Sequence, residues 1–171
     1  QFSDFFSPVV TNTFFSDPIV QYDQLADRYI ILVLDIDFTN ELSYLDFAVS
    51  DTNDPTQGFS EMHRIEVGEF SVGLNQPTLG DYPKLGMNAD AYVVTLNMFG
   101  FDFGYDHASI VTLARSSLVD ANNGTLESYQ FDLGATDFTL AAALDHSAQP
   151  GDPLWFVEEL DGMNVRVIKM D

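Results

Sequence analysis

Cysteine is absent from the 171-residue chain, which excludes disulfide bridges, thiolate metal sites and a cysteine nucleophile. Positive charge is scarce: Lys and Arg number 6 against 27 Asp and Glu, a formal net charge of −21. Phosphate recognition needs a basic surface, so this balance argues against nucleic acid as a partner. No apolar run approaches the roughly 18 residues of a spanning helix, so no membrane insertion is expected. The best helix-like stretch, residues 140–144 (LAAAL), is too short to stand as an element. No His-Glu-x-x-His, nucleophile elbow, phosphate loop or dinucleotide fingerprint occurs.

What is present is apolar, aromatic and acidic. Hydrophobic residues make up 46% of the chain, with 15 Phe, 7 Tyr and 1 Trp, enough for a real core and too many for a disordered chain. Of the 27 acids, 20 are Asp, a residue that favours turns over helix interiors. Two readings of the acidity follow. One is a solvated surface suited to a saline medium. The other is a set of cation sites, with calcium as the cofactor expected of clustered carboxylate and carbonyl oxygens.

Strand signals dominate. Residues 28–37 (RYIILVLDID), 42–50, 91–99, 109–114, 154–158 and 164–170 are runs rich in β-branched and aromatic residues. Each is bounded by Asp, Asn, Gly or Pro, and several are apolar on both faces. Turns are explicit at 51–58 (DTNDPTQG), 120–124 (DANNG) and 160–162 (LDG). The chain is predicted to be all-β.

It also repeats. Asp17-Pro18, Asp81-Tyr82-Pro83 and Asp152-Pro153 each open a short apolar strand, a polar turn and a longer apolar strand, with offsets of 64 and 71 residues. Two further strand-like runs follow in the first two units, at 42–50 with 61–67 and at 109–114 with 127–133. Four antiparallel strands at this period predict a β-propeller segment of about two and a half four-stranded blades. A β-sandwich whose turns happen to rhyme is the alternative. The expected layout is a connector from a preceding blade at 1–16, blades at 17–80 and 81–150, and a partial blade at 151–171. Propellers close with about 4–8 blades, so the chain reads as a fragment or as one subunit of a ring. It opens on Gln1 rather than Met, as expected after removal of a signal peptide or a larger N-terminal part.

Residues 16–37, 48–56 (AVSDTNDPT), 81–99 (DYPKLG followed by DAYVVTLNMF) and 151–157 (GDPLWFV) together resemble a group of large secreted bacterial β-propeller proteins, most without an assigned activity. The resemblance implies an exported, surface-exposed propeller. It brings no catalytic residues to carry over.

Candidate sites were read from the residues themselves. Asp17, Asp81 and Asp152 stand at equivalent repeat positions and would ring one mouth of a propeller channel, where like charges need a cation or hydrogen bonds. The alternative is that each caps its own turn. Asp35, Asp37, Asn40 and Glu41 form a second possible calcium set, because Asp35 and Asp37 share a strand face and a turn follows. Asp51, Asn53 and Asp54 form a third. For both, Asx-turn hydrogen bonding is the alternative. Asp106-His107 and Asp145-His146 read as surface-loop pairs rather than parts of a triad. Phe99, Phe101, Phe103 and Tyr105 alternate, and could face one side of a strand or hairpin as packing or as a sugar platform. Asn123-Gly124-Thr125 matches a glycosylation acceptor. Arg28 and Arg166 fall on repeat strands, where packing or ion pairing is expected.

The sequence therefore predicts an exported binding or scaffolding module, secreted or at the cell surface and stabilised by calcium. Its expected partners are other blades or partner chains and a glycan or protein ligand. A propeller hydrolase acting on glycans or lactones, and a structural subunit of an extracellular assembly, are the alternatives.

Overall fold

The computed structural model describes residues 2–7, 14–68, 71, 75–119 and 125–171. The turn at 120–124 and the acceptor at Asn123 lie outside the described residues.

The chain is all-β, with three antiparallel sheets. The first is a four-stranded meander in the order β1-β2-β3-β4: β1 Phe14–Asp23, β2 Arg28–Asp37, β3 Leu42–Val49 and β4 Glu61–Glu66. The second repeats that order with β5 Thr78–Met87, β6 Ala91–Gly100, β7 Tyr105–Ala114 and β8 Ser128–Asp132. The third has three strands, β9 Ala141–Ala142, β10 Leu154–Glu159 and β11 Val165–Met170, with β10 in the middle. A four-residue helix α1 (Phe2–Phe5) precedes the first sheet, and a five-residue helix α2 (Arg115–Val119) follows β7.

The repeated proline motif has a backbone cause. Asp17 and Asp81 are each the fourth residue of their strand, β1 and β5. Next to them, Asp17 itself (φ 49°) and Tyr82 (φ 50°) adopt the left-handed conformation directly before Pro18 and Pro83. In β1 this breaks the register between Ser16 and Ile19. Both strands stand at a sheet edge, where a proline without an N–H and a local kink are tolerated. The third copy differs: Asp152 precedes β10, and the left-handed residue there is Gly151 (φ 86°).

By chain contacts the protein forms two compact units, residues 1–81 with 98–106 and residues 82–97 with 107–171. In the first, β2 and β3 are buried on both faces. Ile30, Leu32, Leu34, Leu45 and Phe47 face one side and are essentially inaccessible. On the other, Phe6, Val33 and Ala48 form a cluster joined by Phe15, Ile31, Phe59 and Met62. In the second unit, Val93, Ala108 and Ile110 of the second sheet pack on Leu154 and Phe156 of the third, with Leu140 between them. Segment 139–145 is stitched to the second sheet: Thr95 Oγ1 donates to the Leu140 carbonyl at 2.6 Å, and Met87 N to the Ala143 carbonyl at 3.0 Å. This two-layer packing is compatible with a sandwich-like arrangement.

Phe47 is fully buried and central in β3. Phe47→Ala is expected to destabilise the chain by about 3–5 kcal/mol through lost burial and an unfilled cavity. Urea unfolding followed by far-UV circular dichroism checks this.

Candidate functional site

Several of the acids serve as turn acceptors, and others are buried ion-pair partners. Hairpins β1–β2, β5–β6 and β10–β11 are each closed by one Asx side chain. Asp23 Oδ1 accepts from the N–H groups of Leu25 (2.8 Å) and Ala26 (3.1 Å). Asn88 Oδ1 accepts from Asp90 and Ala91, both at 2.9 Å. Asp161 Oδ1 accepts from Met163 (3.1 Å) and Asn164 (2.9 Å). The same device closes β2–β3, where Asp37 Oδ1 accepts from Thr39 and Asn40 and Oδ2 accepts from the Asn40 side chain. Asp54 caps the turn Pro55–Gln57 through Thr56 N, and Asp51 takes Ser60 N and Oγ. Side-chain hydrogen bonds, reinforced by backbone N–H groups, hold Asp37, Asp51, Asp54 and Asp161 below the usual carboxylate range.

The possible calcium sets are placed accordingly. Asp35 and Asp37 do share a face, but Asp35 ion-pairs with Arg64 while Asp37 serves its turn. Asn40 belongs to that turn as a donor, and Glu41 is exposed with φ 55°. Asp17 accepts from Ser16 Oγ at 3.1 Å. Asp81 is half-buried in β5. Asp152 Oδ2 accepts from Gln149 N at 2.7 Å, and Asp152 lines a cleft of about 350 Å³ with Asp90 and Asp171. Asp17 and Asp81 thus sit within strands rather than capping turns into them, as the alternative had it. Among the described residues, no three His, Asp or Glu side chains gather as metal ligands would.

His107 corrects the surface-loop expectation. It is buried on β7, and its Nε2 lies 2.9 Å from Asp132 Oδ1 of the neighbouring strand. Asp145 Oδ1 accepts from Ser147 N and Oγ rather than from His146. The aromatic alternation at 99–105 breaks at the β6–β7 turn. Phe103 folds onto Gly100, where any Cβ would strike its ring, and Phe99 meets Tyr105 edge-on across the hairpin at 5.6 Å.

Two ion triads lie in the sheets; ion pairing was expected of Arg166, but neither its acids nor the Arg64 group stand out in the sequence. On one face of the first sheet, Asp46 pairs in register with Arg64, and Asp35 lies one row along, beside Tyr44. Arg64 reaches both: Nε to Asp46 Oδ1 at 2.8 Å, Nη2 to Asp46 Oδ2 at 3.0 Å, and Nη2 to Asp35 Oδ2. Both carboxylates are wholly buried. The Tyr44 ring lies over the guanidinium, 4.4 Å from Cζ. Burial opposes the Arg64 charge, but the Asp46 hydrogen bond and the two anions raise its pKa above the ordinary value. In the second unit, Glu158 stands directly across from Arg166, whose Nη2 also meets Asp137. Only strand register singles out these acids among 27.

Glu158 of the Arg166 triad lines a cavity of about 770 Å³, together with Phe138, Thr139, Val157, Leu160 and Val165 among others. No family model, curated protein or solved structure matches the chain.

Two outcomes test this account. Arg64→Met leaves two buried carboxylates without their cation and is expected to cost about 3–5 kcal/mol at neutral pH. Paired urea melts of the variant and the native chain check this. The folded pKa values of the turn aspartates are lowered, so their stabilisation is present above the unfolded value and is lost as pH falls through the folded one. Asp161→Asn keeps a turn acceptor without the charge, and should flatten the acid limb of the stability curve.

Proposed function

We propose that the chain is part of an exported β-propeller-like module that serves as a binding and scaffolding surface, its sheets completed by further blades or partner chains. One observation carries this reading: the third sheet is bare on its outer side. Trp155, Val157, Val165 and Val167 share that face and are 42%, 43%, 67% and 60% exposed. Among the described residues β11 pairs only with β10, whereas β2 and β6, the second strands of the other repeats, are flanked on both sides. Contiguous apolar area of this kind marks an interaction surface. The matching Asx turns at Asp23, Asn88 and Asp161 support equivalence of the three repeats.

The hydrolase reading has less behind it. The four displaced aspartates are anions committed to turns, whereas a general acid needs a carboxyl whose pKa is raised. Calcium at Asp17, Asp81 and Asp152 remains a proposed stabilising addition to the scaffold.

Native mass spectrometry and light scattering over a concentration series, with and without chelator, test the scaffold. The expected outcome is concentration-dependent association, together with apolar-dye binding, both reduced by Val157→Lys with Val167→Lys. A chain that stays monomeric and binds no dye would sink the reading. A chelator that leaves mass and melting temperature unchanged would remove calcium from it.

A further inference from the structure

The same ion triad occurs in both units, but its surroundings differ. In the first unit two fully buried aspartates and the Tyr44 ring enclose Arg64. In the second unit one member of the corresponding group, Glu158, lines the 770 Å³ cavity. That volume lies within the range of small-molecule sites, about 300–1,000 Å³.

Glu158 is the residue that distinguishes it. Its side chain is 1% exposed, yet it forms part of the cavity wall. Among the described residues its charged partner is Arg166, which also meets Asp137. Neither carboxylate oxygen makes a hydrogen bond of regular geometry among the described residues. A buried anion that shares its cation is costly, and a second cation would offset the remaining charge.

The rest of the wall says what kind of cation. Glu159 and Asp161 add negative charge, and no Lys or Arg belongs to the lining. Phe138, Leu160 and Val165 border it and stay 50%, 54% and 67% exposed, offering apolar area and an aromatic face. The hydroxyl-bearing Thr139 is held by a reciprocal pair with Asn97, through Thr139 N to Asn97 Oδ1 at 2.7 Å and Asn97 Nδ2 to Thr139 Oγ1 at 2.8 Å. A hard metal ion would need several converging oxygens, and no such group is present among the described residues. An apolar wall with one deep carboxylate fits an organic cation instead.

We propose that this cavity binds a small organic cation, an ammonium or guanidinium on a compact apolar body, with Glu158 as its anionic anchor and Phe138 as its ring wall. Val157 and Val165 belong both to this cavity's lining and to the bare face of the third sheet, so the test is read on the chain without a partner.

Isothermal titration of the whole chain with benzylammonium, and with benzyl alcohol as its neutral counterpart, tests it. Benzylammonium is expected to bind, and benzyl alcohol to bind at least about tenfold more weakly, the scale of a charged hydrogen bond. Glu158→Gln should lose affinity by a similar factor. Phe138→Ala, at a half-exposed position that folding tolerates, should weaken binding as well, so the test survives if the Glu158 variant does not fold. No heat with benzylammonium at millimolar concentration would overturn the proposal. So would equal binding of the alcohol, or a loss with Glu159→Gln as large as with Glu158→Gln, since that marks a diffuse acidic surface.

Discussion

The sheets depend on one short interaction: an Asp or Asn oxygen accepting the N–H groups two and three residues ahead. It occurs at Asp23, Asp37, Asn88 and Asp161, at the end of the first strand of a hairpin or just past it. Each turn reverses the chain in a few residues and leaves N–H groups that no strand can pair. A carboxylate or amide side chain satisfies them without help from the rest of the fold. Register follows from where the turn is closed, and register decides which face every side chain takes. If Asp23 closed its turn one residue later, Ile31 and Val33 would exchange faces with Ile30 and Leu32, and both clusters of the first unit would be lost.

Register also creates the buried charge. Asp46 meets Arg64 because β3 and β4 pair Asp46 with Arg64, and Glu158 meets Arg166 because β10 and β11 pair them. In a protein with only four arginines, two of them each hold two acids. Such pairs add little net stability over an apolar filling, but removing the cation alone is costly. They therefore penalise any slip of the strands, since a shift of one residue would send Arg64 to the face of Leu45 and Phe47 and leave Asp35 and Asp46 buried alone.

Most of the strands were legible in the sequence. Residues 28–37 coincide with β2, and 42–50, 91–99 and 154–158 differ from β3, β6 and β10 by a single residue at the C-terminal end. Runs of β-branched and aromatic residues between Asp, Asn and Gly leave few other choices. The start of β7 at Tyr105 was hidden because the alternation of aromatics runs unbroken through a turn. Helix α2 was hidden because five residues, RSSLV, carry no period. The triads were illegible for a different reason. Their members lie 18 and 29 residues apart in one case, and nothing local tells Glu158 from Glu159. Only the pairing partner, which is a long-range fact, separates the inward acid from the outward one.

Two kinds of acid in the chain are satisfied where they stand, and neither leaves charge in search of a partner. A turn aspartate such as Asp37 is satisfied as an anion by N–H donors and faces water, so it needs no counter-ion. The carboxylates around Arg64 are closed off by protein on all sides and share a guanidinium that meets Asp46 through two nitrogens. Glu158 belongs to neither class. It is as buried as Asp46, yet it stands on a cavity wall, and its guanidinium is divided with Asp137. The surplus of acids over bases is spread over the chain, and at Glu158 burial and an open approach coincide. Low dielectric strengthens an incoming charge's attraction there, and an apolar rim gives that charge a body to bring with it.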